Sequence, residues 1–143
     1  MTLWILDTDH VSLLQTGHPL ITQRIQSTAP NEIAVTIVTV EEQMYGRLNR
    51  IRRAKSADEL RLAYFNLNRT LAYFQTINIL DFDEKAVDCY QELVNQKLRI
   101  GTQDLKIAAI TLSREATVVT RNSRDFGKVP RLQIEDWSID RIN

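Results

Sequence analysis

Acidic residues stand at four separated places where this chain changes direction. Asp7 and Asp9 follow the apolar run Leu3-Trp4-Ile5-Leu6, and Glu42 follows the β-branched run Ile33 to Ile37. Asp104 opens an apolar stretch, and Asn122 and Asp125 follow Thr117 to Thr120. Several carboxylates in one cleft cannot all stay ionised without a cation or bound protons. Magnesium suits such a cleft, because it takes oxygen ligands, keeps several waters and uses only one or two protein carboxylates directly. An ion held that way can activate water and stabilise the leaving oxygen of a phosphodiester.

For that chemistry the acids must converge, and the predicted elements allow it. Leu3 to Leu6 reads as a buried strand entering a turn. Leu13 and Leu14 suggest a short helix halted around Gly17 and Pro19, and Leu20 to Ile25 another. Ile33 to Ile37 is a second strand. Thr39 suits the N-cap of a helix beginning near Val40, with Glu42 completing a capping box, and that helix extends to about Ala54. Ser56 caps the next, whose Leu60, Ala63, Tyr64, Leu67, Leu71 and Phe74 recur at helical spacing.

Ile77 to Leu80 is a third strand, and Asp83 to Leu98 an amphipathic helix. The helix starting near Asp104 is apolar nearly all round, which predicts burial. Thr117 to Thr120 is a fourth strand and Leu132 to Ile134 a fifth. Strands alternating with helices indicate an α/β fold, a mainly parallel sheet of about five strands covered on both faces. Ligands in such folds bind beyond the carboxyl ends of the strands, where these acids fall.

Composition sets the bounds. The chain has 143 residues, enough for one domain spanning 1–143. Eighteen basic residues balance eighteen acidic ones, so any nucleic-acid contact must be local. Residues 47–69 carry seven Arg or Lys against Asp58 and Glu59, an excess of +5, with Arg47, Arg50 and Arg53 as candidate phosphate contacts. A single cysteine, Cys89, excludes an internal disulfide and argues against a Cys-based zinc site. No run is long enough to span a membrane or to serve as a signal peptide, so the expected location is cytoplasmic.

Each acid also has a bland explanation. Asp7 and Asp9 are good turn or N-cap residues. Asp104 suits a helix N-terminus. Thr120 and Ser123 fit an ordinary strand-to-turn junction, and basic runs are usually solvated helix faces. His10 and His18 follow turn-like residues and read as bystanders. Trp4, Trp137 and the Tyr and Phe residues read as core or dimer interface rather than as stacking platforms.

Four segments taken together resemble the PIN-domain ribonucleases, specifically the VapC toxins of bacterial toxin–antitoxin pairs. Leu6-Asp7-Thr8-Asp9 is similar to the family's opening motif. Thr39 to Gly46, with Glu42 ahead of Tyr45-Gly46, is similar to the second. Ile100 to Asp104 followed by Ile107-Ala108-Ala109 resembles the third, and Val119 to Phe126, with Val129-Pro130 and Glu135-Asp136-Trp137, the fourth and the tail. The resemblance runs from about residue 3 to 138. One departure stands out, because many PIN domains have Asp where this chain has Asn122. Asp125 is then the substitute acid, with Asn122 offering only an amide oxygen.

The resemblance implies a PIN-type α/β/α sandwich and an Mg²⁺- or Mn²⁺-dependent endoribonuclease. Asp7, Glu42, Asp104 and Asp125 would be catalytic, Asp7 and Asp104 as direct metal ligands, with Asp9, Asn122 and Thr120 supporting. Hydrolysis by metal-activated water would leave a 5′-phosphate and a 3′-hydroxyl. It also implies a homodimer and a cognate antitoxin that inserts into the acidic site. Two other activities fit fragments of the pattern. Asp7-Thr8-Asp9 fits a haloacid-dehalogenase-type phosphatase, which leaves Glu42 unexplained and lacks a clear partner Lys. A response-regulator receiver would need an acceptor near Asp81. The non-enzyme alternative is a PIN domain that only binds a partner, for which Asn122 is the main support.

Overall fold

Every strand is three or four residues long, too short to be stable outside a sheet that helices cover. The computed structural model describes residues 2–140; residues 1 and 141–143 of the expected 1–143 span lie outside the described residues. In chain order the elements are β1 (Trp4–Leu6), α1 (Thr8–Gln15), α2 (Pro19–Gln26), β2 (Ile33–Thr36), α3 (Ile37–Arg53) and α4 (Ala57–Phe74). They continue with β3 (Asn78–Leu80), α5 (Glu84–Asn95), α6 (Thr102–Ser113), β4 (Thr117–Val119), α7 (Ser123–Phe126) and β5 (Gln133–Glu135). The five strands form one sheet in the order β3-β2-β1-β4-β5, and every pairing is parallel.

Successive strand residues point to opposite faces, which divides the apolar residues between two cores. Ile5, Ala34 and Val118 join Leu105, Ile107, Ala108, Ala109 and Ile110 of α6 and Ala86 and Leu93 of α5 on one face. Leu6, Val35 and Val119 join Val11, Ile21, Phe74 and Trp137 on the other. As its apolar surface predicts, α6 is buried for most of its length.

The chain runs outward from β1 to β2 and β3, then returns to place β4 on β1's other side. That reversal makes the carboxyl ends of β1 and β4 the natural crevice of the sheet. Leu6 is paired with Val119, so Asp7 and Thr120 leave neighbouring strands at the same level.

Two helices differ from expectation. The second strand stops at Thr36, whose hydroxyl accepts from Thr39 N at 3.1 Å and caps α3. The capping box predicted for Thr39 and Glu42 therefore does not form. Thr36 stands three residues earlier with the same capping chemistry, and starting there keeps Val38 in the core. On α4, Ala63, Thr70 and Phe74 face inward, while Leu60, Tyr64 and Leu71 from the expected apolar stripe are exposed. With Tyr45, Leu48, Leu62 and Phe65 they leave an apolar surface on the α3–α4 pair.

Candidate active site

Asp7 is the N-cap of α1, the role its bland reading assigned, and this cap lies at the crevice. One carboxylate oxygen accepts from Thr8 N at 2.7 Å, and the other accepts from the buried Thr120 hydroxyl at 2.8 Å. Only 5 % of the residue is exposed. Burial, with the charge of Asp9 and a smaller contribution from Asp104, pushes its carboxyl up to about 7 against the pull of those two donors.

Asp9, in the first turn of α1, has the opposite character. Burial alone would raise it, but the His10 ring and the backbone N–H of Arg121 hold its carboxyl below the ordinary range. Its Oδ2 accepts from Arg121 N at 3.0 Å, and the Thr120 hydroxyl lies 3.5 Å away.

Glu42 lies in the second turn of α3, freed from capping duty by the earlier start of that helix. Its Oε1 accepts from Thr8 Oγ1 at 2.6 Å, and Thr39 Oγ1 lies 3.1 Å from the same hydroxyl. The neighbouring Glu41 accepts instead from Gln103. Sequence reasoning passed over Thr8 and gave Thr39 only a capping role. The usable signal was a hydroxyl between two acids, Asp7-Thr8-Asp9, beside a second Thr three residues before Glu42.

Asp104 is the third residue of α6, which starts at Thr102 rather than at Asp104 itself. Burial, then the charges of Glu42 and Asp125, raises its carboxyl above the ordinary range. Asn122 faces it with the amide nitrogen, not the oxygen. Its Oδ1 caps α7 by accepting from Asp125 N at 3.3 Å, and its Nδ2 donates to both Asp104 and Asp125 at 3.2 Å. The expected amide-oxygen role at the site is thus replaced by a donor bridging two acids. Asp125 is held below the ordinary range, first by that Asn122 donor and further by Lys128.

The donor set fits a hard divalent cation. It consists of carboxylate oxygens, two of which are held above the ordinary range by burial and neighbouring negative charge. His10 has both ring nitrogens engaged by the protein. Among the described residues no three His, Cys, Asp or Glu side chains are gathered tightly enough to ligate one ion together. Magnesium needs only one or two direct carboxylates, and water completes its shell.

Asn122→Asp would replace the bridging donor with a third charge facing Asp104 and Asp125. Thermal melts are expected to show a lower Tm for the metal-free variant, more so at pH 8 than at pH 5. Mn²⁺ should restore more stability to it than to the parent; equal melts at both pH values would contradict the bridge.

No protein-family model matches the sequence. Ribonuclease VapC2 of Rickettsia felis is 31% identical over 111 residues, covering 75% of this chain and 75% of that protein. The chain belongs to the VapC ribonuclease family. A tRNA(fMet)-specific endonuclease VapC of Shigella flexneri is 30% identical over 111 residues, covering 75% of this chain and 76% of that protein. The crystal structure of a DNA-bound VapBC from Salmonella typhimurium matches with a TM-score of 0.76 at 27% identity, covering 96% of this chain and 99% of that one.

VapC membership sets aside the phosphatase alternative, which left Glu42 unexplained. It also accords with Asp7 being sunk in the crevice and held through both oxygens, poor placement for a covalent nucleophile. No helix among the described residues is long and apolar enough to cross a membrane.

Proposed function

We propose that this VapC-family chain, acting as a single cytoplasmic domain over residues 1–143, is a divalent-metal-dependent endoribonuclease and the toxin of a toxin–antitoxin pair. One observation carries the reading: the carboxyls of Asp7 and Asp104, brought from separate elements to the crevice at β1 and β4, are both held above the ordinary range by burial and by neighbouring acids, Glu42 among those acting on Asp104. Asp7 and Asp104 would hold Mg²⁺ or Mn²⁺, and Glu42 and Asp125 complete the acidic pocket. A divalent ion bound there would supply a polarising charge for the phosphodiester and for the attacking water. Thr8 holds Glu42 in place, Thr120 orients Asp7, and Asn122 spaces Asp104 from Asp125.

RNA is the substrate class, and transfer RNA is the first to test, given the Shigella relative's name. Its path would follow the groove between α3 and α4. A cavity of about 210 Å³ lined by Ser12, Glu42, Gln43, Arg47 and Arg50 adjoins the site. A second, of about 320 Å³, is lined by Arg47, Arg50, Arg53, Leu62 and Asn66. Arg47 is held by donating Nε–H to Thr70 at 2.8 Å, while Arg50 and Arg53 reach solvent. The exposed apolar residues of α3 and α4 suit an antitoxin or a second copy of the chain.

The deciding experiment incubates purified, antitoxin-free protein with total RNA, in Mg²⁺ or Mn²⁺ and in EDTA. Discrete metal-dependent fragments are expected; no cleavage by the folded protein would leave only the binding-module reading. Arg50→Glu with Arg53→Glu should weaken RNA binding and flatten its salt dependence, by roughly 0.7 in log–log slope for each lost phosphate contact. An unchanged slope would remove the groove from the path.

A further inference from the structure

His10 reads as a bystander in the sequence, yet it is completely buried beside the acidic site. Its Nδ1 lies 2.9 Å from Asp9 Oδ1, and its Nε2 lies 3.1 Å from the backbone nitrogen of Trp137. The Trp137 N–H is a fixed donor, so Nε2 must present its lone pair. A proton on Nε2 would set two N–H groups against each other and orphan a buried backbone donor. Asp136 Oδ1, 3.5 Å from Nε2, is already engaged by the Ser138 N–H and hydroxyl. The ring proton therefore sits on Nδ1 and is donated to Asp9. The other Asp9 oxygen accepts from Arg121 N, in the β4–α7 connection that carries Asn122 and leads into Asp125 of α7.

We propose that His10 is a positioning residue of the active site, locked by Trp137 in its Nδ1–H tautomer so that Asp9 is aimed at the Arg121 backbone and the β4–α7 connection is held against Asp7 and Asp104. Trp137 lies 127 residues away in sequence, so the device ties the tail of the domain to the turn that opens it. The His10 backbone N–H donates to the Asp7 carbonyl at 3.0 Å, but the ring bonds Asp9 and Trp137 and acts on the site through Asp9. The proposal rests on the acidic cluster being the working site.

Two substitutions divide its two bonds. His10→Asn places an amide N–H where Nδ1 stood, keeping the donor to Asp9 and losing the acceptor for Trp137. His10→Gln places an amide oxygen where Nε2 stood, keeping the acceptor and losing the donor. His10→Gln is expected to lower kcat roughly 10- to 100-fold with KM within about twofold, the usual scale for a residue that orients a site's ligands. His10→Asn should recover most of that loss.

In metal-free protein, amide hydrogen exchange at Arg121 should speed up in His10→Gln and stay slow in His10→Asn. Two-bond ¹H–¹⁵N correlation of the wild-type ring should show Nε2 unprotonated, a test that needs no variant to fold. A protonated Nε2, equal kcat losses in the two variants, or unchanged Arg121 exchange in His10→Gln would each overturn the proposal. Wild-type protein that cleaves no RNA would refute the nuclease reading instead, and the Arg121 exchange would still judge the role of His10.

Discussion

Asp7→Asn is expected to abolish RNA cleavage, by roughly a thousandfold or more, while making the metal-free protein more stable at neutral pH. The first effect follows from removing a charge that a divalent ion would need, a contribution of several kcal/mol. The second follows from burial. Asn caps a helix as well as Asp does, so the bond from Thr8 N survives. What disappears is a carboxylate whose folded pKa stands at about 7 instead of 3.8.

A folded pKa raised above the unfolded one means that stability is fully present below about pH 4 and is lost as pH rises through about 7. Above that the ionised group costs up to about 4 kcal/mol, a cost Asn does not incur. Melts of metal-free protein should therefore show the Tm advantage of Asp7→Asn growing from pH 4 to pH 7 and then levelling off. Mn²⁺ at pH 8 should close the gap by stabilising the wild type alone. Equal Tm values at pH 8 would mean that burial of the Asp7 carboxylate does not destabilise the metal-free fold.

Trp137→Ala should be the most damaging single change to the fold. The ring is 1 % exposed and packs at 5.5 Å between centroids on Trp4. Arg24 lies over it at 4.8 Å, and the indole N–H donates to Glu135 at 3.0 Å. Truncating a buried Trp costs about 3–5 kcal/mol, a large share of the about 5–15 kcal/mol that holds a domain together. For a chain of 143 residues that corresponds to a Tm lower by roughly 10–20 °C in calorimetry. Trp137→Phe keeps most of the ring contact and should lose only about 1–2 kcal/mol, chiefly the bond to Glu135. A loss below about 1 kcal/mol for the alanine variant would contradict the packing of this segment.

The order of the elements, their parallel pairing and the burial of α6 are local matters of period and composition, and they were legible in the residues. A run such as Ile33 to Thr36 has few alternatives to a covered strand, and an all-apolar helix must lie inside. That Asp7 and Asp104 stand at the starts of α1 and α6 was equally legible. Three things were not.

Thr36 and Thr39 offer the same capping chemistry three residues apart. Only packing of Val38 against the sheet decides between them, and that choice releases Glu42 to meet Thr8. Asn122 exposes a donor or an acceptor depending on which side the cap takes, so its amide nitrogen faces Asp104 only once α7 has formed. The third is His10, whose neighbour in the sequence is Asp9 but whose other partner is 127 residues away. Local sequence determines what each segment is and which charges it carries. The hydrogen-bond partners of a buried side chain depend on contacts between distant segments, and those exist only after the sheet has closed over its two cores.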